Sequence, residues 1–456
     1  MSFSRHPSSY RDPSGFLFYK DGSLYRQVNK SFKEDFDFFI QTGLYHELLK
    51  KDLIVPHQVV DENFTRSDEW YQTLQPLKLP YISYPCEWSF DMLKDAALST
   101  LELAELGMKY GMMLKDASAY NIQFHEGRMK LIDTLSFEKY DASKPWIAYR
   151  QFCEHFYAPL ALMHYSGTAL NQLFLAYPEG IPLNVAAKLL PARSKFNLNT
   201  YLHIHLQKQF SNSSAKQSAP KSFTETRLKN IFRSLKESIQ SFQLHKKSGV
   251  WSGYYEEASQ RKEYLNNKKT IINEWVSKLQ IHNAVDLGAN EGEFSEILWN
   301  KNIYTVSTDF DHYSINNLYR RISKEHINNV HPVVLDLSNP TPAFGVNNSE
   351  RDAFIDRTKV DLVMALALIH HLAIAKNMPF NYTCTFFESL GKYLIIEFVP
   401  KEDEKVSIML QNRKDIFDWY TQESFLKVFS NSYRILDQKT IADSCRTLFL
   451  MQLHET

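Results

Sequence analysis

Residues 285–298 read VDLGANEGEFSEIL. An apolar run carries an acid, Asp286, and leads into two glycines, Gly288 and Gly292, after which a helical pattern begins. A glycine where a strand turns into a helix lets the backbone come close to a ligand, and a helix start presents free N–H groups. The spacing Asp-x-Gly-x-x-x-Gly therefore predicts a binding turn at the end of a buried strand. A simple packing turn has the same appearance, so the strands downstream of it decide between the two.

Those strands repeat the pattern. YTVSTDF (304–310), VHPVVLDL (330–337), VDLVMALAL (360–368) and KYLIIEFV (392–399) are apolar runs of strand length, several with helical segments between them. Strands alternating with helices imply a parallel sheet covered on both faces. The end departs from this: SYRILDQKTIAD and CRTLFLMQL (432–443 and 445–453) have no helix between them and predict an antiparallel hairpin at the sheet edge. Two further acids fall at strand ends. Asp309 comes 21 residues after Gly288, where an acid can accept hydrogen bonds from ribose hydroxyls, and Asp336 closes the next strand. A nicotinamide dinucleotide fold requires Gly-x-Gly-x-x-Gly, but Asn290 occupies the position of its second glycine.

Taken together, these motifs resemble those of class I S-adenosylmethionine-dependent methyltransferases over roughly residues 226–456. The resemblance implies an α/β domain with a Rossmann-like seven-stranded sheet and S-adenosyl-L-methionine as cofactor. It places Gly288, Ala289 and Gly292 around the methionine and ribose, Asp309 on the ribose, and Asp336 with Leu337 on the adenine, and counts Asp286 among the cofactor-binding residues. Candidate catalytic groups are His370 and His371, in ALIHHLAI, and Glu397, at the end of the fifth strand. A side chain here acts as a base only if the acceptor must lose a proton, and each of the three also reads as ordinary packing. Trp251, Tyr254 and Tyr255 in WSGYYEE are a segment that closes over the cofactor in such folds, or equally a packed helix.

The first half has a different character. FLFYKDGSLYRQV (16–28) predicts a hairpin turning at Asp21–Gly22. Helices are expected over 31–50 and from Phe90 to Tyr110, and 145–210 reads as mostly helical. Between them, LKDASAYNIQFHEGRMKLIDTLSFE (114–138) reads as turn, strand, Glu126–Gly127 turn, strand. Asp116 and Asn121 are spaced Asp-x-x-x-x-Asn, and Asp133 closes the following strand. One carboxylate to receive a hydroxyl proton, with an Asn and a second Asp for magnesium, is what phosphoryl transfer uses. The stretch resembles the catalytic loop of kinase-like phosphotransferases, implying an α+β kinase-like domain over 1–209 with Asp116 as base and Asn121 and Asp133 as metal ligands, served by ATP and magnesium. It departs from that pattern in having no glycine-rich phosphate loop and only Arg26 where the strand lysine is expected. The other reading is a degenerate kinase-like scaffold in which Asp116 and Asn121 cap a turn.

The small, polar, aperiodic stretch FSNSSAKQSAPKS (210–222) predicts a linker over 210–225. After it, Leu228, Ile231, Phe232, Leu235, Ile239 and Phe242 recur at helical spacing, so a helix opens the second domain. Lys+Arg and Asp+Glu each total 52, which argues against a broad nucleic-acid or anionic-membrane surface. The 4 cysteines show no metal or disulfide spacing, and the N-terminus has no apolar signal core, so a cytoplasmic protein is expected. Chains pairing two such modules resemble methyltransferases of glycan or nodulation-factor pathways. A glycan or small-molecule acceptor is therefore expected, methylated with the first domain recognising it, or phosphorylated and then methylated. A non-catalytic binding scaffold is the third class.

Overall fold

The computed structural model describes residues 3–207, 224–245, 262–411 and 414–455. The chain divides into two compact units, Met1–His245 with Ala343–Asp352, and Lys246–Pro342 with Ala353–Thr456. The 210–222 stretch and the WSGYYEE aromatics lie outside the described residues.

In the first unit, β1 (Ser4–Arg5), β2 (Gly15–Lys20), β3 (Ser23–Asn29), β4 (His57–Val60) and β5 (Trp70–Pro76) form one antiparallel sheet in the order β1-β2-β3-β5-β4. The β2–β3 turn is Asp21–Gly22, both at positive φ (50° and 79°), as a two-residue hairpin of matching twist requires. The helix Phe90–Lys109 follows, burying Leu93, Ala97, Leu101 and Ala104 along one stripe. β6 (Met112–Leu114) pairs with β9 (Phe137–Lys139), and β7 (Ile122–His125) with β8 (Arg128–Leu131) across the Glu126–Gly127 turn. Mainly helical chain completes the unit, giving the α+β composition expected of it.

The boundary differs from the sequence expectation. The helix Glu225–Ser241 belongs to the first unit, not the second. Its apolar stripe faces that unit's helices: the Phe232 ring stands edge-on to Trp146 at 5.0 Å, and the Ser238 and Tyr157 hydroxyls are 2.6 Å apart. Lys94 Nζ donates to the carbonyls of Gln240 and Phe242, at 2.8 Å each. The arm Ala343–Asp352 also belongs here. Phe344 is buried with Tyr84, Cys86 and Phe174, and the Arg351 guanidinium lies 3.7 Å over the Tyr120 ring.

The second unit is built on β10 (Asn283–Leu287), β11 (Tyr304–Asp309), β12 (Val330–Val334), β13 (Val360–Ala365), β14 (Gly391–Phe398), β15 (Tyr433–Thr440) and β16 (Thr447–Leu453). The sheet order is β12-β11-β10-β13-β14-β16-β15, with β10 to β14 parallel and β16 antiparallel to both neighbours. This is the Rossmann-like, seven-stranded order of the class I methyltransferase fold, and its terminal hairpin is the one expected from sequence. The strand order reverses between β10 and β13, so a crevice opens at their carboxyl ends. One face is closed by the helix Lys262–Lys278, whose Ile272, Trp275 and Val276 pack on Ala284, Met364 and Ile395. Among the described residues no helix is long and apolar enough to cross a membrane.

Because Phe232 is fully buried in the first unit, Phe232→Ala should cost about 3–5 kcal/mol there. Urea unfolding of the full chain followed by tryptophan fluorescence measures it. A cost below about 1 kcal/mol would return this helix to the periphery.

Candidate active site

β10 ends at Leu287, and the chain turns through Gly288 (φ 77°), Asn290 (φ 51°) and Gly292 (φ 84°). The two glycines serve different ends. A side chain at Gly288 would project toward Leu368, whereas a Cβ at Gly292 would come within 2.7 Å of Leu318 Cδ1 and 3.3 Å of the Trp299 ring. Gly292 is thus a close-packing position and does not line the cavity, which corrects its expected place in the binding surface. Nor are the turn's amides free. Gly288 and Ala289 N–H both donate to the Thr308 carbonyl at 2.8 Å, Gly292 N–H to Ala289, and Asn290 N–H to Asp309 Oδ2 at 2.9 Å.

A cavity of about 210 Å³ opens at the carboxyl ends of β10 to β13. Asp286, Gly288, Ala289, Asp309, Asp336 and Leu337 all line it, so six of the seven residues expected to bind the cofactor come together. Asp286 is almost fully buried, and Ser295 Oγ donates to it at 2.6 Å. Burial raises its carboxyl to about 6, against the pull of Ser295 and of the Lys268 charge. Burial likewise raises Asp309 to about 6, although the amides of Asp311 and Asn290 hold its oxygens. Asp336 sits nearer the surface. Burial pushes its carboxyl up, but hydrogen bonds from Ser338 and the ion pair with Lys376 (3.1 Å) outweigh that and hold it below the usual range.

The second wall follows β13. Ala367 is held at φ 49°, a left-handed backbone that a non-glycine residue adopts only under constraint. The constraint is Glu397, whose Oε2 accepts from the Ala367 N–H at 2.8 Å. A single π-helical turn, His371–Ala375, then brings His371, Leu372 and Ala375 to the cavity. Such turns displace one side chain from the regular helical ladder.

The three candidate catalytic groups separate. His371 lines the cavity, and burial, with the nearby Arg446 charge, lowers it to about 4, so it is neutral at pH 7. His370 is buried behind it at a ring separation of 4.1 Å and is not among the lining residues. Glu397 is fully buried and also absent from the lining. Its oxygens accept from Lys268 (2.5 Å), Tyr264 (2.9 Å), Arg446 (3.3 Å) and Ala367. Burial alone would raise it, but Lys268 and Arg446 bring it down to about 2. A carboxylate so placed is an anchor and not a base, a correction to the sequence expectation.

Sequence reading missed Lys268, which is 2 % exposed and lines the cavity. A signal was available: Lys268, Ile271, Ile272 and Trp275 share one helical face, so a lysine stands in an apolar stripe.

Known proteins bear on this arrangement. No family model matches the chain. The nodulation protein NoeA of Rhizobium meliloti (strain 1021) is 32 % identical over 469 aligned residues, spanning 99 % of this chain and 96 % of that one. The chain belongs to the NoeA family. Solved structures with likeness include the N-methyltransferase NodS from Bradyrhizobium japonicum WM9, at 13 % identity and TM-score 0.32 over 42 % of this chain and 97 % of that one. The bifunctional kinase-methyltransferase WbdD aligns at 14 % identity and TM-score 0.28 over 43 % of this chain, which spans only 39 % of that one. Likeness at these scores carries no argument, and the strand order stands on its own geometry.

In the first unit of this NoeA relative, Asp116, Asn121 and Asp133 do approach one another. Burial raises the Asp116 carboxyl, the Asp133 charge raises it further, and Ser118, Gln151 and Asn121 bond to it. Asp133 is spoken for on both oxygens, by Arg26 at 2.5 Å and by the Ser136 hydroxyl at 2.7 Å. Arg26 thus sits where the magnesium ligand was expected to be open. A divalent cation bound through Asp133 would have to share its carboxylate with a buried guanidinium and a hydroxyl, a donor set already largely neutralised within the protein. Among the described residues no cluster of three or more His, Cys, Asp or Glu side chains is placed to hold a metal ion.

Replacing Glu397 by Gln would leave Lys268 and Arg446 buried without their shared counter-charge. The expected loss is about 3–5 kcal/mol, read from the urea midpoint. A variant as stable as wild type would show that the network carries no stability.

Proposed function

We propose that the second unit binds S-adenosylmethionine and transfers its methyl group to a small-molecule or glycan acceptor. One observation carries the reading: Asp309, at the end of the strand next to the glycine turn, faces a cavity shared with Asp286, Asp336 and Leu337. This lining supports the reading, in which Asp309 would take the ribose hydroxyls, Asp336 and Leu337 the adenine, and Asp286 the ammonium group. The bound donor would supply an electrophilic methyl group. The chain's own part is positioning, which supplies much of the barrier reduction in such displacements. In this reading His371, which lines the cavity and is neutral at pH 7, would accept a proton where the acceptor must lose one. The 32 % identical relative is a nodulation protein, which supports placing this chain in the same process.

For the first unit we propose substrate recognition without phosphoryl transfer. The Arg26–Asp133 ion pair, buried on both sides, is what favours this over a bifunctional enzyme.

Calorimetric titration of the full chain with S-adenosylhomocysteine should show binding. Asp309→Ala should weaken it by about 1–3 kcal/mol, because ribose hydroxyls lose their acceptor. Unchanged affinity in that variant, or tighter binding of NAD, would sink the assignment. The pH dependence has a definite sign. Asp286 and Asp309 titrate near 6 in the free protein, above their usual value, so the free fold is favoured when they are protonated and loses that advantage as pH rises through about 6. The ligand needs them ionised. Stabilisation by S-adenosylhomocysteine in thermal shift should therefore be larger at pH 8 than at pH 5.5.

A second titration addresses the first unit. ATP with magnesium should leave the melting temperature unchanged. A shift abolished by Asp133→Ala would instead establish a phosphotransferase site.

A further inference from the structure

One helical stretch of the first unit turns polar residues inward and apolar ones outward. Leu198–Thr200 runs on into Tyr201–Leu206 without a break. Its buried side chains are Thr200, His203, Ile204 and His205, three of them polar, whereas Leu198, Tyr201 and Leu202 are exposed. The inward polar groups find partners within the fold. The ring nitrogens of His203 lie 2.7 Å from the Tyr149 hydroxyl and 3.0 Å from the Ser234 hydroxyl, and His205 Nε2 lies 2.8 Å from Ser194 Oγ. The chain just before the helix adds to the outward apolar set: Leu189 is 52 % exposed and Phe196 90 %. Five exposed large apolar side chains thus fall within residues 189–202, the densest such grouping among the described residues. Single exposed apolar residues are ordinary, but a group of them marks a surface that something covers. The group is also held in order. Asn197 Oδ1 accepts from the Thr200 N–H at 3.0 Å and caps the helix, and the Ser194–His205 contact ties the turn Ala192–Phe196 to it.

The charges beside this face point to what covers it. Lys188, Arg193 and Lys195 are exposed, and residues 181–207 contain no Asp or Glu. None of the three cations has an ion-pair partner among the described residues. The Arg193 guanidinium donates to the Tyr165 carbonyl at 2.8 Å, which fixes the group and leaves its charge uncancelled. A protein partner would have to offer a pocket to each apolar side chain, and a deep one to Phe196, whose ring makes little contact with its own fold. A lipid interface needs no such pockets: apolar side chains enter the acyl boundary while lysine and arginine meet anionic headgroups. We propose that the apolar face of residues 189–202, with Lys188, Arg193 and Lys195 beside it, is a docking surface for an anionic lipid membrane. The balance of 52 basic against 52 acidic residues excludes a broad lipid-facing surface but not a local one. Tyr201 suits the boundary, since its ring is apolar and its hydroxyl polar.

Flotation of the full chain with vesicles tests this. Binding is expected to vesicles of phosphatidylcholine with phosphatidylglycerol, to weaken as salt is raised, and to be weaker by roughly tenfold or more on phosphatidylcholine alone. Lys188→Gln with Lys195→Gln should weaken it by roughly twenty- to thirtyfold, at about fivefold per charge. Phe196→Ser with Leu198→Ser should weaken it at least as much, because the inserted apolar surface is lost. All four side chains are exposed, so neither pair should move the melting temperature, and the lysine pair keeps the test open should the apolar pair fail to fold. Wild type that floats with neither kind of vesicle overturns the proposal. So does equal binding to charged and neutral vesicles, and so does binding that survives in either pair. Light scattering covers the rival occupant: a dimer dispersed by Phe196→Ser with Leu198→Ser would give the face to a second copy of the chain and overturn the lipid assignment.

Discussion

One buried carboxylate holds the second unit's cavity in shape. Glu397 lies at the end of β14, fully enclosed, and its bonds lead to three separate parts of the chain. Tyr264 and Lys268 come from the helix before β10, Ala367 from the loop after β13, and Arg446 from the approach to β16. Arg446 continues to Asp403 through two bonds, at 2.7 and 2.9 Å. Burying an ion costs several kcal/mol unless its partners are well placed, and here every oxygen is satisfied. The left-handed backbone at Ala367 and the orientation of Lys268 are consequences of the same anchor. Its carboxyl titrates at about 2, so the stability it contributes is present above its usual value and fails only as pH falls toward 2.

The glycine turn acts in a complementary way. Its amides bind the neighbouring strand at Thr308 and the acid at its end, so β10 and β11 are clamped together at the point where the crevice opens. The loop offers shape, and the side chains offer charge. Gly288 keeps the near wall thin, and Gly292 lets the turn settle onto Leu318 and Trp299.

How far this was legible in the sequence depends on how much each residue's near neighbours encode. Parallel strands buried on both faces read as apolar runs, so β10 to β14 were visible, and so were the acids Asp286, Asp309 and Asp336 that end or interrupt them. The hairpins at Asp21–Gly22 and Glu126–Gly127 were visible because their turns need particular residues. The helix Glu225–Ser241 was legible as amphipathic, but a stripe says that a face is buried and not against what, so its unit was misplaced. Glu397 reads as catalytic because a strand-end acid looks alike whether it faces a ligand or four donors of its own protein. Arg26 was noticed for its position, but its ion pair with Asp133 joins residues more than a hundred positions apart, which no local pattern records.

The arm Ala343–Asp352 has a consequence for how such a protein is made and inherited. The chain finishes most of the first unit, begins the second, returns to lend ten residues to the first, and leaves again. The first unit is therefore discontinuous in sequence. A gene fragment encoding the second unit alone would also encode Phe344 and Arg351, stripped of Tyr84, Phe174 and Tyr120, and would present an apolar, charged loop to solvent. Translation cannot complete the first unit until residue 352 has emerged, and a single crossover between residues 245 and 343 parts the first unit from its arm.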